Sequence, residues 1–283
     1  MDPFRRLVRT LLAELTRDLY VFGTAGEGYA VSETQFDQIT RVFREETTQP
    51  GVQAMVGLIS LSLTTILERI ERARQMGFRH FQISLPSWGA LTDHEVAVFF
   101  RETCDRFPDC NFLHYNLPRT KRVLTPDDYA MLANKHPNLV ATKHGGDSMN
   151  QCLGLLSKAP QLQHFFTETG YGYASLSGGC ALLVSVASMN FTAARQYFEA
   201  GRKGDTVTLL EMHKELNSLT CELVAMGLTD AHMDGAFDKV FCKLHDPEFP
   251  LRLLPPYSGL KLETYERIAA LVRDKYPRWF PAR

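Results

Sequence analysis

Apolar residues recur along this chain with two alternating periods. Between residues 3 and 18, Phe4, Leu7, Val8, Leu11, Leu12 and Leu15 fall three and four apart, the spacing of a helix with one buried face. Leu19-Tyr20-Val21-Phe22 is a short continuous apolar run and reads as a strand, closed by the turn Gly23-Thr24-Ala25-Gly26-Glu27-Gly28. Ser32-Glu33 opens a second helix carrying Phe36, Ile39 and Phe43. A strand over 52–59 follows Pro50-Gly51, a helix over 63–76 stops at Gly77, and 78–85 is again strand-like. Thr92 caps a helix running to Phe107, and 112–116 is a strand. Thr125-Pro126-Asp127-Asp128 then starts a helix, with a cap hydroxyl and a proline in the first turn. The strand Leu139-Val140-Ala141-Thr142-Lys143-His144 comes next and stops at Gly145-Gly146. A helix over 149–158, a strand over 163–168, a helix around 171–178, a strand over 181–186 and a helix from about 191 complete the series.

Regular strand–helix alternation with short connections predicts a parallel sheet, and strands apolar on both faces predict helices covering both. Seven strands can be counted. An open doubly wound sheet and a (β/α)8 barrel both accommodate them. No G-x-G-x-x-G follows the first strand, and the chemically interesting residues sit at the carboxyl ends of different strands, so the α/β class expected is the (β/α)8 TIM barrel. From about Gly204 the alternation stops, and helical patterns over 207–226, 235–245 and 263–276 run on, interrupted by Pro247, Pro250, Pro255 and Pro256. The expected organisation is a barrel over 1–203 with a C-terminal helical extension over 204–283.

Charge narrows the function. The formal net charge of the 283 residues is −1 and the charges are interspersed, which argues against a nucleic-acid or membrane-surface partner. No apolar run approaches the ~20 residues of a spanning helix. The start, Met1-Asp2-Pro3-Phe4-Arg5-Arg6, lacks the pattern of a secretory signal. Six scattered cysteines contain no C-x-x-C pair and nine histidines show no ligand spacing. A reduced cytoplasmic protein without a metal or cofactor is expected.

Lys143 stands apart from this apolar background. An ammonium at the last inward position of a buried strand is costly, because burial disfavours the charged form. An imine-forming enzyme exploits that cost, since a lysine with a pKa of about 10.4 must be neutral before it attacks a ketone. A lysine at a strand end can also extend its stem to the surface. Two further segments end strands. The Gly23–Glu27 turn offers a hydroxyl and backbone N–H groups suited to a carboxylate. His114-Tyr115-Asn116-Leu117-Pro118 offers a phenol, which by itself is as readily a half-buried core residue.

The order G-T-x-G-E, then Y-N-x-P, then a strand lysine 28 residues after the tyrosine resembles the dihydrodipicolinate synthase/N-acetylneuraminate lyase family over nearly the whole chain. The resemblance implies a (β/α)8 barrel with a helical extension, a dimer or tetramer of identical chains, and a small 2-keto acid substrate. It places the Schiff-base lysine on Lys143, the proton-relaying tyrosine on Tyr115 and the turn hydroxyl on Thr24, with Glu27 mainly structural. The candidate substrate-binding set is Ala25, Gly26, Asn116, Arg119, Glu168 and Ser185.

This chain departs from that pattern in five places. The family begins with a strand, and none precedes the first helix here, so the barrel is expected to lack its first strand. The second hydroxyl of the turn is replaced by Ala25; a hydrogen bond to a charged group contributes ~1.5–3 kcal/mol. Leu85-Pro86-Ser87-Trp88 stands where the synthases carry T-P-Y-Y, and an indole donates but cannot relay. Arg119 follows Pro118 by one residue, where the family's arginine follows by two. Glu168 stands where relatives usually have glycine, placed to pair with Lys143, to meet a polar substrate, or to lie solvated in a loop. The favoured reading is a Schiff-base lyase or aldolase acting on pyruvate or a related 2-keto acid, sugar-derived ones included. A dehydratase using the same lysine and a barrel that binds a keto acid without turnover remain the alternatives.

Overall fold

The computed structural model describes residues 2–145 and 148–281, so Gly146 of the expected strand end lies outside the described residues. Helix α1 (Asp2–Glu14) precedes β1 (Asp18–Val21), α2 (Glu33–Glu46), β2 (Gln53–Gly57), α3 (Leu63–Gln75) and β3 (His80–Ile83). The chain continues through α4 (Asp93–Phe100), β4 (Asn111–Tyr115), α5 (Pro126–Lys135), β5 (Leu139–His144), α6 (Met149–Lys158) and β6 (Gln163–Phe166). Next come α7 (Glu168–Ala174), β7 (Ala181–Leu182), α8 (Phe191–Lys203), α9 (Thr206–Gly227), α10 (Asp234–His245) and α11 (Leu262–Lys275).

The seven strands form one parallel sheet in sequence order. Among the described residues no ladder joins β7 back to β1. Helix starts follow the cap chemistry in the sequence. Ser32 with Gln35, Thr92 with Glu95 and Thr125 with Asp128 each form a reciprocal box, satisfying N–H groups that the first helical turn leaves unpaired. Two expected elements come out differently. Strand β6 stops at Phe166, and Thr167 takes extended angles as the cap of α7, so that helix starts at Glu168 rather than near 171. Strand β7 spans two residues, because β6 offers it only Phe165 and Phe166 to pair with before a 3-10 turn forms at Val186–Ser188.

Two compact units can be separated. One holds Arg17–Gly23 and Val31–Leu183, and therefore the whole sheet with α2 to α7; the other gathers the residues up to Thr16, Thr24–Ala30 and the chain from Val184. In the sheet unit, the Phe22 ring stacks on Phe36 with centroids 4.9 Å apart, and the buried Arg69 guanidinium covers Phe36 while bonding Glu33 at 2.7 Å. In the other unit, the Asn190 amide donates to the carbonyls of Arg278 and Phe280, and the fully buried Trp279 donates to Glu215.

The end of β1 carries backbone strain. Phe22 adopts φ +67°, a left-handed conformation that costs an L-residue roughly 1–2 kcal/mol. Its carbonyl oxygen turns against Gly57, where a Cβ would lie 2.5 Å from that oxygen and 2.9 Å from the Val21 oxygen. Both obstacles are backbone, so neither can swing aside. Gly57→Ala is expected to destabilise the fold by about 1–3 kcal/mol, as overpacked core substitutions do. Thermal unfolding of the two proteins, followed by circular dichroism, checks this; equal midpoints would show that the β1 end relaxes freely.

Candidate active site

Alternation along β5 puts Ala141 and Lys143 on one face of the sheet and Thr142 and His144 on the other. Strand β4 meets it in a register that is interrupted once. Phe112 pairs with Leu139 but Leu113 pairs with Ala141, so Val140 is skipped. Without that bulge Tyr115 would stand opposite Thr142; with it, Tyr115 is the Cα partner of Lys143. Both side chains are buried, Lys143 at 7 % exposure and Tyr115 at 8 %. The lysine Nζ lies 4.1 Å from the centroid of the Tyr115 ring and 5.2 Å from that of Tyr20. An ammonium that loses its water there is partly compensated by the two ring faces.

Lys143 Nζ also donates a hydrogen bond of 2.7 Å to the Tyr20 hydroxyl. Tyr20 belongs to β1, four strands away from β5 in the sheet order. Neighbouring strands lie ~4.8 Å apart, so a flat sheet would separate these two by about 19 Å. The contact therefore requires a sheet curled about its Lys143 face. Gly23 makes room for it, since a Cβ at that position would fall 2.2 Å from the Tyr20 hydroxyl oxygen. Gln82 of β3 shares the same face through Leu113, is fully buried, and has no partner for either amide atom among the described residues.

Other expected residues take up varied positions. Asn116 is buried, donates to the Leu124 carbonyl at 2.9 Å and accepts from the Leu124 N–H at 2.9 Å, which ties down the loop between them. Arg119 is exposed in the short 3-10 turn Pro118–Thr120. Glu168 is half-buried at the first position of α7. Trp88 is 81 % exposed, and its carbonyl accepts from Lys121 Nζ. Thr24, Ala25, Gly26 and Ser185 belong to the other unit. There Thr24 is 5 % exposed, and its hydroxyl has no partner among the described residues. Glu27, at φ +58°, accepts from Lys239 Nζ at 2.5 Å and from the Leu254 N–H, so this buried carboxylate anchors its turn. Gly26 is exposed, Ala25 half-buried, and Ser185 half-buried just ahead of the Val186–Ser188 turn.

The sequence pattern did not single out Tyr20. An aromatic in an apolar strand is ordinary core, and its partner lies 123 residues away. The one local signal was Gly23, three residues on.

The opposite face of the same strands is polar but closed. His164 Nε2 lies 2.9 Å from the Ala159 carbonyl, so in the neutral ring Nε2 donates and Nδ1 accepts from Thr142 Oγ1 at 2.7 Å. Thr142 in turn accepts from His144 Nε2 at 2.8 Å. His114 meets the Tyr129 hydroxyl at 2.7 Å. Burial pushes His114 down to about 3, helped by the nearby His144, and burial pushes His164 down to about 4. Among the described residues no group of three or more histidines, cysteines or acids is arranged to hold a metal ion.

The chain is similar to several known proteins. A family model described as the dihydrodipicolinate synthetase family matches residues 2–274. A 4-hydroxy-tetrahydrodipicolinate synthase of Xanthomonas campestris pv. campestris is 25 % identical over 207 residues, covering 72 % of this chain and 68 % of that one. N-acetylneuraminate lyase 2 of Escherichia coli O6:H1 is 21 % identical over 236 residues, covering 81 % and 75 %. The crystal structure of YagE, a prophage protein belonging to the dihydrodipicolinic acid synthase family from E. coli K12, in complex with pyruvate, matches with a TM-score of 0.86 at 17 % identity. It covers 96 % of this chain and 91 % of that one, which shows a shared fold.

The histidine network sets a pH dependence with a definite sign. Both histidines are held neutral in the fold and recover a pKa near 6.5 when unfolded, so the unfolded chain binds more protons on the acid side. Their stabilising contribution is complete above about pH 6.5 and is lost as pH falls toward about 4 for His164 and about 3 for His114, by at most ~1.4 kcal/mol per pH unit for each group. Urea midpoints measured from pH 7 to 4.5 should fall accordingly. His164→Gln should flatten the profile by one proton's worth, and an unchanged slope would mean that His164 titrates alike in both states.

Proposed function

Because the chain belongs to the dihydrodipicolinate synthetase family, we propose that it is a Schiff-base lyase or aldolase that carries pyruvate or a related 2-keto acid, sugar-derived ones included, on Lys143. The observation that supports this reading most is the placement of the Lys143 amine. It is buried on the inner face of a curled sheet, at a strand end, against the rings of Tyr20 and Tyr115. In the same reading the seven strands correspond to the last seven of a (β/α)8 barrel.

The proposed chemistry divides among few groups. Neutral Lys143 attacks the keto carbon, and water leaves as the protonated imine forms. That imine is an electron sink, so the adjacent carbon can carry the electron pair of a C–C bond as the bond breaks or forms. A phenol is a poor base alone but serves as both donor and acceptor, which suits Tyr115 to passing the proton that replaces the broken bond. The substrate carboxylate needs donors, for which the Thr24 hydroxyl and the backbone N–H groups of Ala25 and Gly26 are proposed. With Ala25 in place of a second hydroxyl, the clamp is one donor short, which costs roughly ten- to a hundredfold in carboxylate affinity. Glu168 is proposed to meet the polar end of a longer substrate. Asn116 acts on the loop after β4, since its amide is engaged by Leu124.

Two outcomes test this. Borohydride added with pyruvate should leave a stable reduced adduct on wild type, mapped by mass spectrometry to Lys143, and none on Lys143→Ala. An adduct of equal yield on the variant, or none on wild type, would remove the assignment. Condensation of pyruvate with aspartate semialdehyde should be absent, because Trp88 cannot relay a proton and Arg119 is displaced by one residue from the family's arginine. A coupled assay with both substrates saturating checks this; turnover in the ordinary range of ~1–1000 per second would show that neither residue is limiting.

A further inference from the structure

We propose that Tyr20 is a catalytic residue of this site, the group that moves the proton off Lys143 Nζ while the imine is being built. The proposal rests on the Schiff-base reading of Lys143 and assigns the step that the reading leaves without a carrier. When the amine attacks the keto carbon, an N–C bond forms and the C=O π pair moves to oxygen. The nitrogen then holds one proton too many and the oxygen one too few. Direct transfer between them passes through a four-membered ring of N, C, O and H. A phenol bonded to the nitrogen replaces that strained path by a six-membered one. The N–H proton goes to the phenol oxygen, the phenol's own proton goes to the alkoxide, and a neutral carbinolamine and an unchanged phenol result. The same phenol oxygen accepts one proton and gives up another, a double role that a phenol can fill.

Three observations single out Tyr20 for this part. Its hydroxyl is 2.7 Å from Nζ, within hydrogen-bond reach of the reacting atom itself. The Tyr115 ring centroid lies 4.1 Å from the same amine. The space that the Tyr20 hydroxyl occupies exists only because residue 23 is glycine; a Cβ would stand 2.2 Å from the oxygen and 2.8 Å from Cζ. Finally, the backbone just before that glycine is held in the strained left-handed conformation at Phe22, its carbonyl accommodated by Gly57. A strand end bent at such cost, and emptied of side chain at one position, is consistent with a phenol that has to be kept where it is.

The test is the rate of imine formation, separated from later steps. Wild type, Tyr20→Phe and Gly23→Ala are mixed with pyruvate and cyanoborohydride across pH 6 to 9, and the Lys143 adduct is followed by mass spectrometry. Tyr20→Phe keeps the ring and removes the relay; it should still form the adduct on Lys143, about 10²-fold more slowly or worse, with the pH dependence of the rate altered. Gly23→Ala should be slowed comparably although Tyr20 is still present, which keeps the proposal testable if one variant folds poorly. Circular dichroism and the melting point of each protein exclude simple unfolding. Wild-type rate and pH profile in Tyr20→Phe would overturn the role of Tyr20 while leaving Lys143 as the imine former. The absence of any adduct on wild type would overturn the Schiff-base reading and this proposal with it.

Discussion

An amine inside a sheet must find a partner, because a buried donor without one loses its hydration and gains nothing. In this protein the requirement is met from four strands away, by the hydrogen bond between Lys143 Nζ and the Tyr20 hydroxyl. Much else in the sheet unit follows from that distance. The sheet has to curl to bring β1 and β5 together. The β4–β5 ladder has to skip Val140 so that Tyr115 stands beside the lysine. The end of β1 has to turn through a left-handed Phe22 and give up a side chain at Gly23. Each of these features is locally unfavourable or irregular, and each bears on what surrounds Lys143 Nζ.

The two faces of β5 show how the same backbone serves opposite ends. Toward the concave side it presents a single amine between aromatic rings. On the opposite face, Thr142 and His144 enter a closed chain of hydrogen bonds with His164 that ends on the Ala159 carbonyl. Hydrogen bonds buried in low dielectric resist displacement, because breaking one leaves a polar group unpaired. It ties β5 to β6 and to the start of the β6 connection, so the lysine's strand is anchored from behind. The same network makes the fold sensitive to acid, through histidines that burial keeps neutral.

The departures from the family pattern fall at Ala25, Trp88 and Arg119 rather than at Lys143. Ala25 carries no hydroxyl, Trp88 sits largely in solvent, and Arg119 is exposed directly after Pro118. Glu27, the turn's acid, is retained and bonded to Lys239 and Leu254, so the turn is anchored even where its donors are reduced. That distribution is the ground for proposing imine chemistry on Lys143 with a different second substrate.

Much of this was legible in the residue pattern. Alternating periods marked seven strands in order, the Ser32, Thr92 and Thr125 caps marked helix starts, and a lysine at the end of an apolar strand marked the candidate site, because each depends on neighbours in sequence. Strand and helix ends at Phe166 and Leu182 were not legible, since a strand stops where its partner stops. Nor was Tyr20, an unremarkable aromatic until the sheet curls, nor the skipped Val140, which exists only as a relation between two strands. Local chemistry was therefore written in the chain itself. Which phenol meets the amine was decided by the tertiary structure, because strand curvature and register are set by packing between segments more than a hundred residues apart.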